Sequence, residues 1–367
     1  MTETALFASV KVQGQELVDY AVRVRLDESD TRADVASVTF GDANLVLCDI
    51  LHEGQTLEID IGRTDQHALV FRGVATSVHA HFGAVGSPTV ELVAQDSLIK
   101  LALEARTKRW ANATVSSIVS RIALDNSLRP GMISPGEDAS FPEERPAQQV
   151  TETDLAFLER LAHAYDSKLY VDHSQPVDAL NFISNQSLLE AAPIEQSLVF
   201  NSTLVDFRVG YDAWATAPEE HVVTTDPTTG ERVTVDETLF RPDDVAWTPD
   251  PTRIARLGAG SARVTALVAA SAGARAQLRS FQRVPPRLAG APARPATDHA
   301  RVHSDRLRHR GHTGRGRASG SIWLRPRARI NVLGYGGRWS GPWYLSRVRH
   351  ELDLAVRTYA CSFVCTR

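Results

Sequence analysis

The sequence predicts an α+β chain that is mainly β, and three observations carry that expectation. Apolar residues alternate through positions 18–26 (Val18, Tyr20, Val22, Val24, Leu26), the period of a half-buried strand. From about residue 97 the period lengthens to that of a helix, and after about residue 322 it returns to two. The first hundred residues hold short apolar runs with regular turn punctuation and no long helical pattern, which suits a small barrel or sandwich.

Further strands are expected at 35–40, 56–61, 68–71, 74–81 and 89–94, with turns at Gly54, 62–65 and 83–86. A helix follows whose apolar face is Val115, Ile118, Val119 and Ile122; Asn112 or Thr114 caps it, and it ends near Asn126, ahead of Pro130. A second helix carries Leu155, Leu158, Leu161, Ala162 and Tyr165 behind a capping box read as Thr151-x-x-Asp154. Phe157 and Ala164 widen its apolar stripe, so it is expected to pack on two sides. A hairpin of 169–171 and 180–183 comes next, then strand character at 197–209. Residues 212–259 are polar and proline-bearing, with a hairpin expected at 224–230. The stretch 258–294 is rich in Ala and Arg and ends as a Pro/Gly/Ala linker, and 298–310 reads as a basic helix. The last strands are placed at 329–333, 343–350 and 359–364. Three domains result: a β unit over 1–100, a mixed helix and hairpin lobe over 101–195, and a second β unit over 196–367. The second β unit carries the insertion at about 212–259 and the basic helix at about 298–310.

A faint internal repeat links the two β regions. The first runs through 57–61, 71–73, Val78–His79 and a closing strand at 90–92. The second runs through 329–332, 340–342, Val348–Arg349–His350 and a closing strand around Phe363. Each reads as strand, turn, a glycine opening a strand that ends in Val/His, turn, closing strand.

Of 367 residues 43% are apolar, and 40 Lys and Arg against 44 Asp and Glu leave a net charge of −4, so no global field points to nucleic acid or membrane. Charge is uneven: 287–329 is rich in arginine and 137–154 is acidic. Cys361 and Cys365 lie four apart in an expected strand, hence ~13 Å apart at ~3.4 Å per residue, beyond the ~7 Å reach of a disulfide. Buried free thiols are expected, which suits assembly in a reducing cytoplasm. Residues 1–12 lack a basic segment followed by an apolar one, so no signal peptide is expected. The Ala/Val-rich run at 264–274 is too short to span a bilayer, so no membrane insertion is expected.

Chemistry-bearing patterns are weak. His299, His303, His309 and His312 invite a metal, with Asp298 or Asp305 as a further ligand, but the surrounding arginines would repel a cation, and solvated or interface histidines are preferred. Gly314-x-Gly316-x-x-x-Gly320 misses the spacing of a dinucleotide loop, and residues 337–341 (Gly-Arg-Trp-Ser-Gly) miss that of a nucleophile elbow. Glu143–Glu144 sits in a proline-bearing loop unsuited to a catalytic acid pair. No catalytic residue, cofactor or metal site is assigned. The arginines Arg301, Arg306, Arg308, Arg310, Arg315 and Arg317 have two readings, a surface for DNA or a separate partner protein, or an intersubunit face met by acidic residues; guanidinium geometry suits either. Aromatic residues are absent between 297 and 321, so base stacking is not expected, and the protein interface is favoured. Trp339, Trp343 and Tyr344 read as barrel core plus an edge aromatic. Trp343 and Tyr344 alternate and so face opposite sides; Tyr344 is read as core, and Trp343 joins Trp339 as an interface candidate.

Asp154–Leu–Ala–Phe–Leu–Glu–Arg–Leu–Ala162, followed by Tyr165 and 169–171 (Leu-Tyr-Val), resembles a signature of the late control gene D protein and VgrG family, D-x-x-F-L-x-R-L-A leading into a short hairpin. The closing run of 324–326, 330–332, 334–336, Ser340–Gly341, 343–345 and 348–350 is similar to that family's last barrel. Residues 71–73 (Phe-Arg-Gly) and 94–96 (Ala-Gln-Asp) fit its first. The resemblance covers nearly the whole chain in order. The sequence departs from it at Arg327 and Asp166, where the family has glycine, and in the length of 212–259.

The resemblance implies two tube-like antiparallel β-barrels flanking a mixed α/β lobe, in a homotrimer. Six barrels in a ring would match a hexameric tail tube, or a tube-initiator protein, on one side and a threefold spike on the other. The chain ends at Arg367 directly after the last strand, so the spike is expected to be a separate protein. The implied function is a structural baseplate hub of a contractile tail or injection system. It would be assembled in the cytoplasm, bound to other baseplate subunits and built into a phage-tail-like particle with DNA or protein cargo passing its lumen. The alternatives are a peptidoglycan-active tail enzyme and a hexameric tube-initiator protein.

Overall fold

The computed structural model describes residues 5–136, 138–212, 219–225, 232–238, 250–270, 287–288 and 311–367, with backbone alone at 219–225, 232–238 and 287–288. The fold is mainly β and its sheets are largely antiparallel. The chain divides into two compact units, one of residues 1–207, 315–330 and 344–365, the other of 208–314, 331–343 and 366–367.

The first β region comprises β1 (Leu6–Val12), β2 (Gln15–Glu16), β3 (Ala21–Ser29), β4 (Val35–Gly41), β5 (Thr56–Arg63), β6 (Gln66–His81) and β7 (Thr89–Asp96), with a short helix α1 (Leu47–Ile50). Each strand buries alternate residues: Val24 and Leu26 in β3, Ala36, Val38 and Phe40 in β4, Leu57, Ile59 and Ile61 in β5, Val90, Leu92 and Ala94 in β7. The expected alternation at 18–26 starts three residues late. Residues Val18–Tyr20 form a 3-10 turn, Tyr20 is exposed, and the inward set is Ala21, Val24, Leu26 and Glu28. A register shift between Ala21 and Arg23 resets the phase.

The lobe follows: β8 (Ala105–Trp110), β9 (Ala113–Thr114), α2 (Val115–Asp125), β10 (Arg129–Ser134), β11 (Ser140–Phe141), β12 (Ala147–Thr153), α3 (Asp154–Ala164), β13 (Ser167–Asp172), β14 (Ala179–Ser184) and α4 (Asn185–Glu190). Its core unites Val115, Ile118, Val119 and Ile122 of α2 with Phe157, Leu158 and Leu161 of α3 and with Leu180 and Phe182 of β14. Of the two expected caps, Asn112 and Thr114, it is Thr114 that caps α2, in a capping box with Ser117. The cap of α3 is Thr153, whose hydroxyl accepts from Ala156 N, and Thr151 lies two residues earlier in left-handed backbone. The expected Thr151–Asp154 box therefore does not form. Asp154 is instead buried, bonded to Asn126 Nδ2 (2.9 Å) and Gln149 Nε2 (2.8 Å).

The last β region holds β15 (Ser197–Val199), β16 (Leu204–Tyr211), β17 (Glu219–Thr225), β18 (Arg232–Thr238), β19 (Arg287–Leu288), β20 (His312–Ser319), β21 (Arg329–Leu333), β22 (Gly341–Asp353) and β23 (Thr358–Thr366). β17 pairs antiparallel with β18, as expected of a hairpin around 224–230, and parallel with β19. These three form a separate sheet. In the second unit, His312 packs on Tyr211 (4.6 Å between ring centres), Trp339 (6.0 Å) and Trp343 (6.4 Å), and the Trp343 indole donates to Trp339 O (3.1 Å). Among the described residues no helix is long and apolar enough to cross a membrane.

The main sheet is one open sheet of 13 strands, in the order β16-β20-β23-β22-β3-β4-β7-β6-β5-β1-β2, with β21 beside β22 and β15 beside β21. Two separate closed barrels are not what the pairing gives. It gives two six-stranded halves joined edge to edge. The first half reads β3-β4-β7-β6-β5-β1 across the sheet and the second β16-β20-β23-β22-β21-β15. Numbered in chain order within its half, each is the same arrangement. Local bonds match as well. Gly54 N donates to Ala75 O and Ala75 N to Gln55 O (2.8 Å each); Arg327 N donates to Leu345 O (2.8 Å) and Leu345 N to Ala328 O (2.9 Å). Thr76 Oγ1 donates to Val93 O and Ser346 Oγ to Val364 O. The repeat suspected from sequence is thus a repeat of topology. Val78 and Val348 occupy equivalent places, whereas His79 corresponds to Arg349 and not to His350.

Candidate functional site

The two halves meet where β22 lies antiparallel to β3, Arg347 to Asp353 against Ser29 to Arg23. A charged residue stands at an inward position there. Glu28 follows Val24 and Leu26 on the buried side of β3 and has 0% exposure. Such a carboxylate persists only if it is paired and hydrogen-bonded. His350 of β22, also at 0% exposure, meets it through Nε2 at 2.9 Å, and the Arg325 guanidinium forms an ion pair from the segment ahead of β21. The far side of the His350 ring faces β23, with Nδ1 2.8 Å from Tyr359 Oη and 3.3 Å from Cys361 Sγ. Arg325 also donates to Val70 O of β6 (3.1 Å). One cluster therefore ties β3, β6, β22 and β23 together.

Its charges support one another. Burial opposes the Glu28 charge, but Arg325 and the His350 hydrogen bond outweigh it and hold the carboxyl below its usual range. Burial likewise opposes a charged His350; the facing Cys361 and Glu28 reverse this and raise its pKa to about 10. The pair is thus an imidazolium–carboxylate pair at neutral pH.

A second shell of carboxylates continues along the same seam. Asp34 accepts from Ser29 N (2.9 Å) and its own N–H donates to Asp96 Oδ2 (2.9 Å). Burial, reinforced by the nearby Glu28 charge, pushes Asp34 up to about 8. Arg327 approaches from the C-terminal segment, donating to Ser29 O (2.7 Å) and lying 4.0 Å over the Tyr170 ring. Asp30 accepts from Tyr344 Oη (3.1 Å) and pairs with Lys168 (3.0 Å), which brings the lobe into the seam.

The lobe has one more anchor on the first half. Asp178 binds Arg72 of β6 (3.0 Å), His173 Nδ1 (3.0 Å) and the Ser97 hydroxyl, while Arg72 also holds Glu58 (2.8 Å). Ser, His and Asp meet here, but the carboxylate stands between the other two. The Ser97 hydroxyl meets the carboxylate and not the imidazole, so the trio lacks the serine–histidine contact of a nucleophilic triad and serves as an anchor. A cleft of 650 Å³ in the same unit is lined by Arg63, Glu195, Gln196, Ser321, Trp323 and Tyr359 among others. The Ser321 hydroxyl there donates to Gln196 Oε1 (2.5 Å), an amide that cannot take its proton.

Of the interface residues named from sequence, Arg301, Arg306, Arg308 and Arg310 lie outside the described residues, as do His299, His303 and His309 and the basic helix expected at 298–310. Arg315 and Arg317 are exposed on β20, alternating with Gly314 and Gly316. A Cβ at Gly316 would overlap the Phe363 ring, and one at Gly320 the Tyr359 ring. The glycines therefore make room for aromatic side chains of β23 and cradle no phosphate. Trp339 is half-buried. Trp343 and Tyr344 do point to opposite faces, yet both are buried, at 0% and 7% exposure, because the lobe covers Tyr344 with Ile183 and Leu188. The outward partner of that pair is absorbed within the chain, and Trp343 presents no surface to a neighbour. Cys361 and Cys365 are buried free thiols. Among the described residues no group of ligands could hold a metal ion.

Sequence reasoning passed over the seam, although its signals are present. Glu28 continues an apolar alternation as a charge, and Arg325 and Arg327 bracket Pro326 where an apolar strand begins. The two departures at glycine positions are explained by backbone: Arg327 (φ +72°) and Asp166 (φ +44°) adopt the left-handed conformation that glycine would take freely. Each is pinned by its side chain, Asp166 through Asn185 Nδ2 (2.6 Å).

A family model described as phage tail baseplate hub (GPD) matches residues 32–355. The fold is similar to that of a tail protein from Neisseria meningitidis MC58, at 13% identity and TM-score 0.69 over 99% of this chain and 97% of that one. It is similar also to the 43 kDa tail protein of prophage MuSo2 from Shewanella oneidensis, at 12% identity and TM-score 0.68 over 99% and 98%. A component of the E. coli type VI secretion system matches at 13% identity and TM-score 0.55 over 97% of this chain and 76% of that one. No curated protein matches the sequence.

Proposed function

The chain belongs to the phage tail baseplate hub (GPD) family, and from that premise we propose that it is a homotrimeric symmetry adapter, joining a hexameric tail tube to a threefold spike supplied by a separate protein. The duplicated topology carries this reading. A chain that presents the same six-stranded arrangement twice offers, in three copies, six similar wall segments to a sixfold partner. Each half would then form part of a tube-like wall, with closure coming from the assembly. The surface arginines Arg315 and Arg317 and the half-buried Trp339 serve as contacts to neighbouring tail components, and the lumen passes DNA or protein cargo.

The role is load-bearing and not catalytic. The densest polar chemistry of the first unit sits in a seam with no exposed surface at Glu28 and His350, where it holds the two halves together. Breaking a buried, hydrogen-bonded ion pair costs about 3–5 kcal/mol, which suits a part that must transmit force without shearing.

Cryo-electron microscopy of the purified chain bound to its tube protein tests the reading. Three copies at the tube end, presenting six sheet halves to the tube and threefold symmetry on the far side, are expected; six copies, or one, would overturn it.

A further inference from the structure

The in-chain junction has a counterpart that the chain leaves unmade. β22 pairs with β21 along its early part and with β3 along its later part. Ser346 O accepts from Asp30 N (3.0 Å), so at period two the backbone of 346, 348, 350 and 352 faces β3. In the first half, β6 holds the place of β22. Its early part pairs with β5, Gln66 to Val74, and one edge of its later part pairs with β7, Gly73 to His81. On the other edge Ala75 is bonded by the 54–55 turn, and beyond it no described strand follows. Thr76, Val78 and Ala80 are the equivalents of 346, 348 and 350. His79, Ala80 and His81 are exposed, and Phe82 beyond them is 62% exposed. In the second half β16 holds the place of β3. It is the terminal strand of the sheet, bonded along one side to β20, with Val205 72% exposed.

We propose that β16 of one copy adds to the later part of β6 of the next copy, repeating between chains the antiparallel junction that β3 and β22 make within one. The occupant is a second copy of this chain because the sheet already contains the same pair of places joined. The junction is head to tail: every copy carries one β16 edge and one β6 edge, so copies join in a closing ring and not as a twofold pair. Main-chain hydrogen bonds across the junction would supply the adhesion, as in other strand additions, and would protect both open edges from indiscriminate pairing. This rests on the trimeric reading above and names its interface.

Two proline variants test it. Ala80→Pro removes an N–H aimed at the open edge of β6 and leaves the β7 side intact; Val209→Pro does the same for β16, where Asp212 N donates to Gly311 O on the β20 side, so at period two the odd positions face the open edge. Each variant alone is expected to elute as a monomer with an unchanged circular dichroism spectrum. An equimolar mixture is expected to give a heterodimer, since an Ala80→Pro copy keeps a good β16 edge and a Val209→Pro copy a good β6 edge, yet the ring cannot close. Variants that both assemble like the wild type would overturn the edge assignment and leave the trimer standing. Two monomers that fail to complement on mixing would also overturn it. A wild type that is monomeric at every concentration would instead remove the reading beneath it.

Discussion

Arg327 and Gly54 occupy the same place in the two halves of the chain. Each donates its backbone N–H to the strand beside it, to Leu345 O and Ala75 O at 2.8 Å, from left-handed backbone at φ +72° and +87°. Glycine takes that conformation without strain, whereas arginine bears it because its guanidinium reaches Ser29 O and the Tyr170 ring. The first half keeps the turn cheap; the second uses it to aim a cation at the seam.

That comparison predicts an ordering of stabilities. Arg327→Gly loses the guanidinium contacts and relieves the backbone, whereas Arg327→Ala loses the contacts and keeps the strain of about 1 kcal/mol. Urea denaturation should place Arg327→Ala below Arg327→Gly by about that amount. Equal values would show that the left-handed conformation is not what glycine answers here.

Glu28→Gln leaves His350 and Arg325 without their carboxylate. The expected loss is about 3–5 kcal/mol, far above the ~1 kcal/mol or less typical of an exposed pair such as Arg109–Glu143. A loss near that of a Glu143→Gln control would mean that the seam does not hold the halves.

The seam gives stability a readable pH dependence. His350 is raised from 6.5 to about 10 in the fold, so its contribution is full below about pH 6.5 and is lost as pH rises through 10. His350→Gln should be most destabilised relative to wild type at and below about pH 6.5, and the gap should narrow toward pH 10. A gap independent of pH would show that the ring is neutral in the folded chain.

Asp34 acts with the same sign in a lower window. Its pKa rises from 3.8 to about 8, so the folded state holds a proton that the unfolded chain has released, and stability falls between pH 4 and 8. Asp34→Asn, whose amide oxygen can still accept from Ser29 N, should remove that part of the fall and exceed wild type in Tm at pH 8. A parallel pair of pH profiles would contradict the assignment.

Gly316→Ala forces a methyl group into the Phe363 ring. Overpacking of this kind costs about 1–3 kcal/mol, and Phe363→Leu should relieve it, so that the double variant loses less than the sum of the singles. Strict additivity would show that the ring can move aside.

Regular elements were legible where one local rule decides them. α2 and its Thr114 cap, the hairpin of β13 and β14, and the buried alternation of β4, β5 and β7 follow from period and capping chemistry. The start of β3 was misjudged because a bulge between Ala21 and Arg23 shifts the phase, and a bulge leaves no period to read. Thr151 was preferred to Thr153 as a cap because both stand ahead of the same helix, and only the backbone decides between them. The pairing of β3 with β22 joins residues more than 300 positions apart, beyond the reach of local pattern, and with it went the meaning of Glu28, Arg325 and His350. Trp343 was offered to a partner because alternation separates the faces of Trp343 and Tyr344 and is silent on what covers either face.

The mass of the purified chain in solution tests the central claim most directly. Native mass spectrometry across a dilution series should give three copies of the 40.1 kDa chain, about 120 kDa, in equilibrium with monomer only at the lowest concentrations. A particle of six copies, or a monomer throughout, would contradict the account of a duplicated half whose threefold repetition presents six.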